Sequence, residues 1–216
     1  MARPEIICLT NGMFAENCYV VADREAGSAV LIDPGEEADL FLARLRSERL
    51  TLTAIWLTHA HLDHVAGVGA VKAELDVPIW LHPADRPLYD HAPDQARMLL
   101  GMTMPAPPPP DRTIVPGEPM RVGTCEFEVR FVPGHSPGSV AFVREGVALV
   151  GDVLFAGSVG RVDLPGGDGA TLIASIRDEL LPLPDDTVVY PGHGPETTIG
   201  RERATNPFVT GAIALA

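Results

Sequence analysis

Apolar residues along this chain switch repeatedly between two periods. Residues 5–10 and 17–22 read as strands joined by a turn at Asn11-Gly12, and residues 29–32 read as a third strand, ended by Asp33-Pro34-Gly35. Ala38, Phe41, Leu42 and Leu45 then fall at i, i+3, i+4 and i+7, one face of a helix. Residues 54–58 form a mostly apolar run, expected to be a buried strand. Val68, Val71 and Leu75 mark the next helix, and residues 79–81 the next strand.

The second half repeats the theme. Phe127, Val129 and Phe131 alternate with Glu128 and Arg130, so that strand has one wet face. Residues 140–143 and 147–150 flank Arg144-Glu145-Gly146 as a hairpin. Asp168 is placed as an N-cap ahead of Leu172, Ile173, Ile176 and Leu180, the apolar face of a helix. Residues 187–190 give the last clear strand. Strands mixed with helices throughout predict an α/β class in one domain spanning residues 1–216. Residues 83–111 stand apart, with a proline run at 105–110 and Met98, Met102 and Met104 close by. This segment is expected to be a surface loop, extended along its prolines, with a lid or wall beside a site as the sharper reading.

Composition narrows the function. An apolar fraction of 46% suits a folded globule, and no apolar run approaches the roughly 18 residues of a membrane span. No secretory signal is visible at the start, so a cytoplasmic protein without a membrane partner is expected. The net charge of −13 offers no basic face for nucleic acid. Cys8, Cys18 and Cys125 are too few and too scattered for a disulfide framework or a CxxC site, and they read as buried free thiols.

The chemistry concentrates in Thr58-His59-Ala60-His61-Leu62-Asp63-His64, directly behind the apolar run. Of seven histidines, three lie here. Each imidazole or carboxylate is costly to bury without a partner, and a metal ion supplies one. His59 and His61, two apart in an extended loop, point to the same side. Asp63 and His64 follow where the chain turns into a helix and reach a second point nearby. His135, Asp152 and His193 each stand at a strand end beside a glycine. His82 and His91 match no such context.

His59-x-His61-x-Asp63-His64, followed by His135, Asp152 and His193, resembles the metallo-β-lactamase superfamily. Asp33 in Leu31-Ile32-Asp33-Pro34-Gly35 matches its early aspartate. The resemblance implies an αβ/βα sandwich of two mixed β-sheets flanked by helices. By the same carry-over, His59, His61 and His135 hold one ion, Asp63, His64 and His193 a second, and Asp152 bridges them. Zinc is the default for two divalent ions on nitrogen and oxygen donors, with iron or manganese open.

Gly151-Asp152-Val153-Leu154-Phe155-Ala156-Gly157-Ser158-Val159-Gly160-Arg161 and Val189-Tyr190-Pro191-Gly192-His193-Gly194-Pro195-Glu196-Thr197-Thr198 look like the glyoxalase II branch, in particular its short bacterial relatives. These often finish near Asn-Pro-Phe, here Asn206-Pro207-Phe208. Those relatives lack the C-terminal helical domain of longer glyoxalases, and none is expected here. The implied reaction is hydrolysis of an acyl-glutathione-type thioester, a small-molecule substrate, with Asp63 and Asp152 orienting the nucleophile. Arg161 falls where longer relatives contact glutathione, but it also reads as a surface ion pair. Asp163 replaces a tyrosine there. Tyr190 reads as a site residue or a core strand residue. Asp33, Thr58 and Ser139 read as supports for the histidines or as ordinary turn hydrogen bonds. Rival readings are an iron-dependent persulfide dioxygenase of the same fold, a lactone or ester hydrolase, and a metal-binding module without turnover. The oligomeric state is left open.

Overall fold

In the computed structural model, which describes residues 3–215, the alternating pattern resolves into two six-stranded sheets with helices between their strands. Contacts divide the chain into two compact units. The first runs to Ile114 and adds Met120–Glu126; the second takes Val115–Pro119 and the chain from Phe127 on.

The first sheet holds β1 (Glu5–Asn11), β2 (Glu16–Asp23), β3 (Ser28–Ile32), β4 (Thr51–Trp56), β5 (Ile79–Leu81) and β6 (Arg112–Thr113), in that spatial order. Tight turns join β1, β2 and β3, which pair antiparallel. From β3 onward the pairing is parallel, which requires crossovers. These are α1 (Ala38–Ser47), then α2 (Leu62–Val65) with α3 (Val68–Glu74), then α4 (Arg86–Asp90) with α5 (Ala92–Leu100). Val20, Ala29, Leu31 and Ile55 from the strands bury against Phe41, Leu45, Val68 and Val71 from the helices. At roughly 25 cal/mol per Å² of apolar surface, this cluster is the main stabilising term of the unit.

Residues 83–111 differ from the expected loop. Pro83–Asp85 is a 3-10 turn and α4 and α5 follow it. The reason is positional: each of these short helices carries a proline in its first turn, where the missing N–H costs nothing. Only the stretch beyond Gly101 is irregular until β6 begins. Tyr89 donates to the Pro108 carbonyl at 2.8 Å, and Asp111 accepts from Ile79 N and Lys72 Nζ, each at 2.9 Å, so the proline run is tied within and just after its last residues. Met98 is 84% exposed. Cys8 is exposed too, unlike Cys18 and Cys125, which are buried as expected.

The second sheet runs β14-β13-β10-β9-β8-β7. Its members are β7 (Met120–Val122), β8 (Cys125–Phe131), β9 (Val140–Arg144), β10 (Val147–Gly151), β13 (Val188–Pro191) and β14 (Thr197–Thr198); β11 (Leu154–Phe155) and β12 (Ser158–Val159) form a separate small hairpin. Two further helices are α6 (Gly169–Ser175) and α7 (Ile199–Thr205). Asp168 caps α6 as expected, accepting from Thr171 N at 2.7 Å. Its apolar face continues into a π turn, Ile176–Leu180. Asn206 donates to the Ser158 carbonyl and to Glu202 Oε2, both at 2.9 Å, while Gly157 N donates to the same oxygen at 2.8 Å. Asn206 and Glu202 thus pin the hairpin turn that follows Asp152. Among the described residues no helix is long and apolar enough to cross a membrane.

Asp23 closes β2 with four hydrogen bonds. Its carboxylate accepts from Thr124 N and Oγ1, each at 2.7 Å, and from Glu25 N and Ala26 N at 3.0 and 3.1 Å. Donation from Thr124 N, then from the Thr124 hydroxyl and Ala26 N, pulls its pKa down to about 2. Because the folded value lies below the unfolded one, near 3.9, the stabilisation is complete above about pH 4 and is lost as pH falls toward 2. Asp23→Asn is therefore expected to lower the urea midpoint at pH 7, with the gap to wild type closing through that acid window. A gap independent of pH would contradict the assignment.

Candidate metal centre

The His-rich segment leaves β4 at Trp56 and enters α2 at Leu62. Ala60 N donates to Asp85 Oδ2 at 3.0 Å and His64 N to the His61 carbonyl at 3.0 Å, which fixes the path of the turn. His59, His61 and His64 are all buried. The ring centroids of His59 lie 4.9 Å from His61 and 4.1 Å from His64. Asp33, at the end of β3, reaches the same turn from a left-handed backbone, φ 50°.

The hydrogen bonds set the histidine tautomers. Thr58 donates its N–H to Asp33 Oδ1 at 2.7 Å and its hydroxyl to Asp33 Oδ2 at 2.5 Å. A carboxylate only accepts, so the single hydroxyl proton goes to Asp33. Thr58 Oγ1 must then accept from His59 Nδ1, 3.0 Å away. His64 Nδ1 donates to Asp33 Oδ2 at 3.1 Å. Both rings are left with a lone pair on Nε2, the form a metal takes. Asp33 and Thr58 thus bond to ring nitrogens as well as to the turn backbone.

The second unit carries its own cluster. Asp152 directly follows β10, while His193 comes shortly after β13 and His135 in the turn beyond β8. His135 Nδ1 donates to the Arg161 carbonyl at 2.8 Å, so its Nε2 also carries the lone pair. His135 Nε2 and His193 Nε2 lie 3.6 and 3.5 Å from the same atom, Asp152 Oδ2. In the first unit, His64 Nε2 and Asp63 Oδ2 are 3.8 Å apart. These separations are too long for hydrogen bonds. They suit donors of one ion: two ligands about 2.1 Å from a metal at a tetrahedral angle stand roughly 3.4 Å apart. The donor set is imidazole and carboxylate throughout, so the residues fit hard or borderline divalent ions.

Gly160 makes the second cluster possible. A Cβ there would meet the Asp152 carbonyl at 1.9 Å and His135 Nδ1 at 3.0 Å. Gly160→Ala is expected to displace Asp152 and His135 and to cost about 1–3 kcal/mol of stability by overpacking. Thermal melting and metal content would both fall; unchanged metal content would show that the turn yields elsewhere.

Arg161 pairs with Asp163, Nε to Oδ1 at 2.7 Å and Nη2 to Oδ2 at 2.8 Å, in the open. Its link to His135 runs through its main chain. Ser139 Oγ accepts from Ser136 N at 3.2 Å and shares a 2.7 Å bond with Ser136 Oγ, which steadies the turn after His135. Tyr190 is half-buried on β13, opposite Leu149. Two buried acids escaped the sequence reading. Asp85 holds Ala60, and Glu16 Oε1 lies 3.7 Å from His64 Nδ1. Neither belongs to a motif; only the fold brings them to the histidines. Burial pushes the Glu16 carboxyl well above its usual range, with His64 opposing.

Over residues 11–193 the sequence matches the metallo-beta-lactamase superfamily. The Haemophilus influenzae protein named hydroxyacylglutathione hydrolase GloC is 42% identical over 209 residues, covering 95% of this chain and 97% of its own. Among solved structures, BLEG-1 B3 metallo-beta-lactamase superposes with a TM-score of 0.90 at 41% identity, over 96% of this chain and 100% of the other. TTHA1623, solved in a di-iron-bound form, gives 0.85 at 48% identity, over 94% and 99%.

Proposed function

This chain belongs to the metallo-β-lactamase superfamily and has its fold of two mixed sheets with flanking helices, and we propose that it is a thioester hydrolase of the glyoxalase II kind. The superfamily supports a metal-dependent hydrolase. The narrower choice of an acyl-glutathione-type substrate leans on the likeness to a hydroxyacylglutathione hydrolase along nearly the full length of both chains.

The observation that carries a hydrolytic centre is Asp152 Oδ2, which stands between two imidazole Nε2 atoms at ligand spacing. In this reading, His59, His61 and His135 hold one divalent ion, Asp63, His64 and His193 hold a second, and Asp152 serves both. Such ions lower the pKa of a bound water toward neutrality and polarise a carbonyl. Zinc is the proposed occupant; the di-iron form of a 48% identical protein keeps iron beside it, with manganese third.

The chain's own groups do the rest. Asp33, Thr58 and the Arg161 carbonyl keep three Nε2 lone pairs facing out. Asp63 and Asp152 are placed to orient an attacking water and take its proton. Arg161, 61% exposed at its side chain, would contact a carboxylate of the thiol carrier in exchange for its pair with Asp163, and half-buried Tyr190 is the second proposed substrate contact. We propose that both units act as one catalytic domain.

The test is hydrolysis of S-lactoylglutathione by freshly purified protein, with elemental analysis in parallel. About two ions per chain and cleavage that a chelator abolishes and metal restores are expected. A chromogenic β-lactam is assayed alongside, since attack on its carbonyl needs the same groups. Oxygen uptake with glutathione persulfide, and no thioester cleavage, would replace this reading with the dioxygenase.

A further inference from the structure

His64 has two carboxyl groups at one nitrogen, and its tautomer needs only one. Asp33 Oδ2, at 3.1 Å, takes the Nδ1 proton. Glu16 Oε1 lies 3.7 Å from the same Nδ1, on the other hairpin strand, and is 1% exposed. Among the described residues that oxygen has no hydrogen-bond partner. A buried acceptor left without a donor is costly, and a buried carboxylate more so.

The chain nevertheless builds a place for it. Asn11 donates to Glu16 Oε2 at 2.6 Å and to the Glu16 carbonyl at 3.1 Å, and it accepts from Glu36 N at 2.8 Å. That clamp turns Oε1 toward His64. Gly35 clears the room: a Cβ there would stand 2.7 Å from Glu16 Oε2, 2.6 Å from Asn11 Oδ1 and 2.6 Å from the Asp63 carbonyl. Three segments therefore converge to hold a buried carboxyl whose Oε1 has no donor among the described residues.

We infer that Glu16 is an outer carboxylate of the His64 ion site, a positioning residue that balances the charge of the loaded centre through the His64 ring. The inference rests on the dinuclear reading above. A dication on Nε2 leaves the ring's Nδ1–H side more positive, and a carboxylate within 4 Å in a dry interior is then strongly attracted. The same group is a burden while the site holds no ion. Its effects on the two states have opposite sign, which a plain structural brace would not show.

Glu16→Gln retains an oxygen for Asn11 and removes the charge. Zinc is titrated into wild type and variant against a chromophoric chelator, and the metal-free proteins are melted by calorimetry. The weaker-bound zinc is not assumed to be either site; the expected result is that one of the two steps loses about 10- to 100-fold in affinity, the usual range for an outer partner of a ligand. The other step stays put, and the metal-free melting temperature is unchanged or higher. Glu16→Asp, which keeps the charge one methylene further back, should fall between; it carries the test if the glutamine variant does not fold. Equal affinities in both steps would overturn the inference. So would a lower metal-free melting temperature with affinity intact, which would make Glu16 a brace of the hairpin. If wild type takes up a single zinc, the dinuclear reading itself fails, whatever the variants do.

Discussion

Asp152→Ala is expected to lower kcat for the thioester by roughly 10²–10³-fold or more, with a folded chain. The size follows from the task given to the carboxylate. Metal polarisation of a carbonyl is worth several kcal/mol, and each 1.4 kcal/mol is about a factor of ten. Asp152 Oδ2 stands 3.6 and 3.5 Å from two imidazole nitrogens, so in the proposed centre its loss would remove the donor common to both ions. The fold should survive, because the turn after Asp152 is held by other bonds. Gly157 N donates to Glu202, and Asn206 donates to the Ser158 carbonyl. Melting with and without zinc separates the effects. Wild type should gain stability on adding zinc by mass action, and the variant should gain little. Asp152→Asn keeps the shape and loses the charge, and it should behave like the alanine variant. Near-native turnover with full metal content in either would end the proposal that Asp152 serves the reaction.

Much of the fold was legible because period and punctuation agreed. The α1 stripe, Ala38, Phe41, Leu42 and Leu45, is the buried face observed. The hairpin at Arg144-Glu145-Gly146 and the cap at Asp168 rest on local chemistry and appear where expected. What was missed depends on tertiary pairing or on position. β6, β11, β12 and β14 have two residues each, too short for any period to register. The helices over residues 83–100 were hidden by prolines that break a helix in its interior but start one in its first turn. Strand β4 was placed late. It begins at Thr51, whose alternation with Leu52, Thr53 and Ala54 marks one exposed face, and it stops at Trp56, so Thr58 already belongs to the His-rich turn.

The histidines and aspartates of the candidate site stood out because clustered imidazole and carboxylate is rare at the end of an apolar strand. Their supports did not. Thr58 and Asp33 are ordinary turn residues by sequence, and only the bonds through Oγ1 and Oδ2 show that they choose a tautomer. Arg161 drew notice for its charge, whereas its carbonyl is what touches His135. A main-chain contribution leaves no trace in side-chain identity. Glu16 and Asp85 were invisible for a related reason: a lone acid is common, and its burial beside an imidazole is settled by packing far along the chain.

Asp33→Asn is the sharpest test of the tautomer argument, because the backbone tolerates it. Asp33 sits at φ 50°, a region asparagine enters readily and alanine does not. The change therefore isolates the carboxylate. Asp33 Oδ1 accepts from Thr58 N, and Oδ2 accepts from Thr58 Oγ1 and His64 Nδ1. If the amide oxygen keeps Thr58 N, the amide NH₂ must face a hydroxyl and an imidazole nitrogen. His64 Nδ1 can then only accept, and its proton moves to Nε2, the atom meant for the ion. If the amide flips, NH₂ confronts the Thr58 N–H instead. Either way a buried donor meets a donor, or the ligand is blocked. Metal affinity should fall about 10- to 100-fold, and activity should return in part with excess zinc. Nitrogen NMR on the metal-free protein reads the tautomer directly: wild type should show the Nδ1–H form at His64, and the variant should show the Nε2–H form. An unaltered His64 tautomer together with wild-type zinc affinity would reduce Asp33 to a turn residue, and the ligand geometry at His64 would then have to come from packing alone.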